Sequence, residues 1–332
     1  MKYAMSQYTM KQMVSVLCIG VIIALCGFGM AGFNYQKLST KGVYEMKDYQ
    51  VSAQSLSAIR IRDKNARVEL KQSGDDQVRV EYYERKDDHY TIQTDASGVL
   101  SVTYDDRTPL SIILDIFTID FNLRTLRVYV PADCALPVNL STTNGTVSAQ
   151  GLTLGDTALQ SSNGKIEVRD ITAPAIEVTT SNGSISLDNV AAGQRLRAQT
   201  SNGRLQLNHV TAPLVTSRSS NASTTLTTVT ASTRVEAITS NGKLTLDNVT
   251  APTISAQTSN ASVNLTAVDA QSLDIKSSNG AIRAALSGSQ SEYTISSSTI
   301  NGKNNLPSGG TGPRKLTVKT SNAGINVTFD HP

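Results

Sequence analysis

The chain has 332 residues, no tryptophan, 5% aromatic and 17% charged side chains, and recurrent Ser, Thr, Asn, Ala and Gly. This excludes an aromatic-rich core, a coiled coil and charge-driven disorder, and suggests many short strands with polar turns. Lys2 and Lys11 account for two of the formal +3 charges, which leaves +1 for residues 34–332 and argues against a nucleic-acid footprint.

Residues 1–13 read as a short cytoplasmic tail. Val14 to Phe33 is twenty residues without a charge, long enough as an α-helix to cross a hydrocarbon core of about 30 Å. The two lysines before it predict a cytoplasmic N-terminus and an exported remainder, a single-pass membrane protein. Gly29, Met30 and Ala31 leave open a signal peptide cleaved after Ala31, and Cys26 a lipid attachment, although Leu25 precedes it. Cys134 is the one cysteine beyond this segment, so no internal disulfide is available to the exported part.

Residues 34–56 read as a juxtamembrane linker and residues 57–140 as irregular β coils or an N-terminal cap. Alternation at Ile59 and Ile61, Val68 and Leu70, and Val78 and Val80 carries the second reading. Leu110 to Phe121 is too apolar for an exposed loop and is expected to be buried in the cap.

From residue 141 to 332 the chain repeats. An Asn followed by Gly or Ala recurs at Asn144, Asn163, Asn182, Asn202, Asn221, Asn241, Asn260, Asn279, Asn301 and Asn322, at intervals of 19 to 22 residues, always with Ser or Thr two positions earlier. Apolar residues hold register with it, such as Ile185 and Leu187 after Asn182 or Leu244 and Leu246 after Asn241. Period-two alternation broken by turns predicts two or three short strands per repeat, one face buried. Such repeats bury their apolar faces only by stacking, which predicts a single-stranded parallel β-solenoid of about 20 residues per coil and roughly 45–50 Å. The Asn is expected to take the left-handed backbone of the corner and to stack as a hydrogen-bonded ladder, with the Ser or Thr hydroxyl pointing inward. Lys165, Arg204 and Lys243 recur at 39-residue spacing, as do Pro174, Pro213 and Pro252, so pairs of coils share a history.

The recurring Thr-Ser-Asn-Gly with Ile-x-Leu after it, as in Thr180 to Leu187 and Thr239 to Leu246, resembles the bacterial putative-adhesin β-strand repeat domain, a domain of unknown function. The resemblance covers roughly residues 57–332. It implies a right-handed β-solenoid outside a bacterial cell, behind one membrane anchor, and no catalytic residues.

Two carboxylate arrangements bear on chemistry. Asp188 and Asp247 fall three coils apart, roughly 14 Å, too far for a glycosidase pair. Asp170, Asp188 and His209 fall at neighbouring turns, where backbone preference alone favours Asp and His. His89, His209 and His331 lack metal-ligand spacing, so no metal or other cofactor is expected. Lys165, Arg204 and Lys243 form the one candidate binding row, suited to an anionic cell-wall polymer, with another envelope protein as the other partner considered. The sequence thus points to a non-catalytic, membrane-anchored envelope scaffold. The alternatives are an envelope-stress sensor acting through a membrane partner and, third, a carbohydrate-active β-helix enzyme.

Overall fold

The computed structural model describes residues 44–84, 89–105 and 125–330. Residues 14–33 and the apolar segment Leu110 to Phe121 lie outside the described residues. Among those described, no helix is long and apolar enough to cross a membrane.

Twenty strands make up the described part of Glu45–Pro332. The N-terminal ten are β1 (Glu45–Ser52), β2 (Ala58–Arg62), β3 (Arg67–Gln72), β4 (Gln77–Glu84), β5 (His89–Thr94), β6 (Val99–Asp105), β7 (Thr125–Val130), β8 (Val138–Thr142), β9 (Val147–Thr153) and β10 (Thr157–Ser161). Six long strands follow: β11 (Ile166–Thr180), β12 (Ile185–Thr200), β13 (Leu205–Ser219), β14 (Thr224–Ile238), β15 (Leu244–Gln257) and β16 (Val263–Lys276). The end comprises β17 (Ile282–Leu286), β18 (Tyr293–Ser298), β19 (Arg314–Lys319) and β20 (Ile325–Phe329).

The long strands are successive coils of a parallel β-solenoid of about ten turns and about 19 residues per turn. Each pairs in parallel with the next, so that Ile166, Ile185, Leu205, Thr224, Leu244 and Val263 stand in one row. Alternation builds the interior: Ile185, Leu187, Val190, Ala192, Leu196 and Ala198 of β12 are all buried. At about 1.5–3 kcal/mol per large apolar side chain, a coil gains this only against its neighbours, and an isolated coil would leave the same groups in water. Two polar residues break these apolar rows, and one is Ser217, buried between Ala198 and Ala237. Thr224 is fully buried where the other coils carry Ile, Leu or Val, and its hydroxyl has no partner.

Both ends depart from this simple succession. At the start, β2 and β3 pair with β8 and β9 on one side and with β6 and β7 on the other, so the earlier segment lies inside the later one. β4 joins β7 antiparallel, β1 joins β4 antiparallel, and β5 joins β6 antiparallel. Residues 45–52 are therefore a paired strand rather than part of a linker, because Tyr49 and Val51 pack against the core. At the finish, β19 pairs with β16 and β20 with β17, while β18 pairs with β19. The last two strands thus lie between the preceding coil and the segment that precedes them in the chain.

Candidate functional site

The asparagine corner is the most regular surface of the molecule. Each Asn amide nitrogen donates to the Asn carbonyl oxygen of the coil before it at 2.6–2.8 Å, without interruption from Asn65 through Asn144, Asn163, Asn182, Asn202 and Asn221 to Asn241, Asn260 and Asn279. The ladder then runs to Asn322 and only afterwards to Asn301, because the final coil is inserted. Its bonds all point one way, which aligns the amide dipoles along the stack.

Beneath the ladder the Ser or Thr two positions earlier braces the corner from inside. The Thr180 hydroxyl accepts from the Gly183 N–H at 3.2 Å and donates to the Gly164 carbonyl one coil back at 3.2 Å. Ser161, Thr200, Thr239 and Ser277 make the same two bonds. Buried corner groups that a strand ladder would leave orphaned are satisfied in this way.

The sequence assigns the left-handed backbone to the corner Asn, and the structure corrects this. Among the described residues the non-glycine positive φ angles fall at Ala135 and at Asp170, Asn189, His209, Thr228, Asn248 and Ala267, the last six each seven residues after a ladder Asn. The coil bends there, at a second corner. At the Asn corner the requirement is closeness: a Cβ on Gly183 would stand 1.9 Å from the Gly164 carbonyl oxygen. Ala222, Ala261 and Ala323 occupy the equivalent place, each with glycine on both sides in the stack.

Asp170 and His209 share the row of the second corner with Asn189 between them, and Asn189 donates to Asp170 at 2.6 Å. Asp188 sits one residue earlier in its coil, 3.5 Å from His209 Nδ1 and 3.6 Å from Arg169 Nε. Asp188 and His209 thus meet across two rows while Asp170 bonds to Asn189 instead, and Asp247 lies three coils from Asp188, through Asn208 and Thr227. Among the described residues no three His, Cys, Asp or Glu converge as metal ligands would. Cys134 is half-buried, and burial pushes its thiol pKa up, which disfavours the nucleophilic thiolate.

Lys165, Arg204 and Lys243 do stand in one row, successive members two coils apart with Ser184 and Ser223 between them, all exposed beside the Asn ladder. The Lys165 ammonium pairs with Glu167, while Arg204 and Lys243 have no ion pair among the described residues. Sequence reading misses Asn65, the first rung. Its corner reads Asp63-Lys64-Asn65-Ala66, with the buried Asp63 carboxylate in place of the usual hydroxyl, accepting from Asn65, Ala66 and Tyr90. Val68 and Leu70 stand three and five residues after Asn65, the apolar spacing of most other rungs, and that register is the available signal.

Residues 56–221, half of the chain, match the family described as Toastrack DUF4097. Among solved structures, a putative adhesin from Parabacteroides merdae is similar at 12% identity and a TM-score of 0.45, over 87% of this chain and 96% of that one. A putative adhesin from Bacteroides fragilis is similar at 13% identity and a TM-score of 0.39, over 86% and 97%. No curated protein matches the chain.

Proposed function

Because the chain belongs to the Toastrack DUF4097 family, we propose that it is a non-catalytic, adhesin-like scaffold of the bacterial cell envelope, a right-handed solenoid held at the membrane by one helix at residues 14–33. The observation that carries this reading is the repetition of the same exposed groups, coil after coil, along the asparagine corner. A surface of equal, evenly spaced contacts suits multivalent attachment, in which many weak bonds combine into a strong one. The charge-free run Val14 to Phe33 after Lys2 and Lys11 supports the anchor and its orientation.

Fractionation of cells tests the proposal. The full chain should pellet with membranes after an alkaline wash and be digested by protease added outside, and deletion of residues 14–33 should release it. A full chain that stays in the cytoplasmic fraction would overturn the anchored reading. Turnover of any glycan, lost in Asp188→Asn, would overturn the non-catalytic one.

A further inference from the structure

The charge of the exported body is balanced in total but not in place. Four outward rows define the asparagine edge: the residues three before each ladder Asn, one before it, the Asn itself, and two after it. The first row runs Arg62, Ser141, Gln160 and on to Arg218, and later holds Lys276 and Lys319. The second contributes Lys64, followed by Thr143 and serines at every level up to Ser321. The fourth holds Arg67, Lys165, Arg204, Lys243 and, at the outermost level, Lys303. These rows contain ten cations and no Asp or Glu, although the chain has 27 carboxylates.

The cations are also evenly supplied. Counted level by level from the Asn65 corner to the Asn301 corner, no two successive levels lack one. The largest gap is therefore two coils, about 10 Å, close to the roughly 8 Å over which charges act together at physiological ionic strength. Arg67, Lys165, Arg218 and Lys276 are partly offset by Glu69, Glu167, Glu236 and Asp274 of the adjoining rows. Arg62, Arg204, Lys243, Lys303 and Lys319 have no ion pair among the described residues.

We propose that this edge is a track for one linear polyanion with phosphodiester links, lying parallel to the stack across about ten coils. The inference deepens the scaffold reading and rests on it. A chain of phosphates matches the shape of the site, a line of cations with serine hydroxyls between them. A planar lipid surface would reach only part of it, since the rows wrap around a corner. A single-stranded nucleic acid would want aromatic side chains for its bases, and the rows carry none.

The test is titration of the full chain, reconstituted in neutral phosphatidylcholine nanodiscs, with poly(glycerol phosphate), with dextran as the uncharged control and phosphatidylglycerol vesicles as the lipid arm. Binding should weaken steeply with added salt. It should fall at least tenfold in the quadruple variant Arg204→Gln, Lys243→Gln, Lys303→Gln, Lys319→Gln, whose exposed side chains make no ion pair among the described residues. Arg169→Gln with Arg283→Gln, cations of the neighbouring sheet, should change it less than threefold. Equal losses in the two variants, equal binding of dextran, or tighter binding to vesicles than to the polymer would each overturn the track. Absent polymer binding by a chain that still fractionates with membranes would overturn this inference and leave the scaffold reading in place.

Discussion

The solenoid turns at two kinds of corner, and they hold their sequences to different standards. At the first, eleven stacked positions are all asparagine, because each side chain must donate to one neighbour and accept from another. At the second, the successive residues are Asp170, Asn189, His209, Thr228, Asn248 and Ala267, all with φ between 49° and 54°. A left-handed backbone costs a non-glycine residue about 1–2 kcal/mol, which stacked strands on either side can absorb, so the side chain there is free to vary. Contact between copies fixes a residue type. A dihedral angle only biases it.

The strongest way to break this comparison is to crowd the first corner. Gly183→Val should destabilise the coil stack by about 3–5 kcal/mol, since its Cβ and both methyls must displace the Gly164 carbonyl of the preceding coil. Thermal and urea melts would show it, and a near-unchanged midpoint would mean that the corner yields easily. Asn202→Ala removes two ladder bonds at an exposed site and should cost about 1–2 kcal/mol. The corner backbone is not left-handed, so Asn202→Thr should cost no more than Asn202→Ala; a much larger loss would restore the strained-corner view.

At the second corner the sign reverses. Thr228 is β-branched at φ 52°, and Thr228→Gly should stabilise by about 0.5–1 kcal/mol, the relief of strain outweighing the entropy gained by the unfolded chain. A lowered melting temperature would contradict that account. The smallest expected effect lies on the stretch joining the corners of the first coil. Burial alone would raise the Glu69 carboxyl, but Lys71, Arg67 and Arg127 together hold it below the ordinary glutamate range. Its contribution is therefore complete above the unfolded value of about pH 4.3 and is lost as pH falls through the lower folded value. Glu69→Gln should flatten the acid limb of the stability profile below about pH 4.5, and an unchanged limb would remove Glu69 from the ledger of acid-sensitive groups.

The coil register and ten of the eleven rungs were legible in the sequence because stacking enforces spacing, and spacing survives in a string of letters. The place of the left-handed residue was not. Asn is favoured both by αL backbone and by amide ladders, so its recurrence cannot tell one cause from the other, whereas the true bend shows no recurring letter. The inserted ends were hidden for a related reason. The last two intervals, 22 and 21 residues, hint at an irregularity, but sequence distance does not say which of two neighbouring coils a strand joins. The candidate binding row was read from three members because a 39-residue period exposed them. Arg62, Arg218, Lys276 and Lys319 belong to the same edge but reach it from the opposite side of the corner, where no period marks them.

The insertion of β19 and β20 between β16–β17 and β18 has a bearing on biosynthesis. A stack of coils can in principle close one level at a time as the chain is made, each new coil finding its template already waiting. Here the segment containing β18 has nothing to rest on until residues 314–329 have been synthesised and tucked beneath it. The segment containing β18 is therefore seated only after β19 and β20, which come later in the chain and lock it in place. A nascent chain that stops short of residue 314 would expose the edges of β16 and β17, open templates for pairing with other chains.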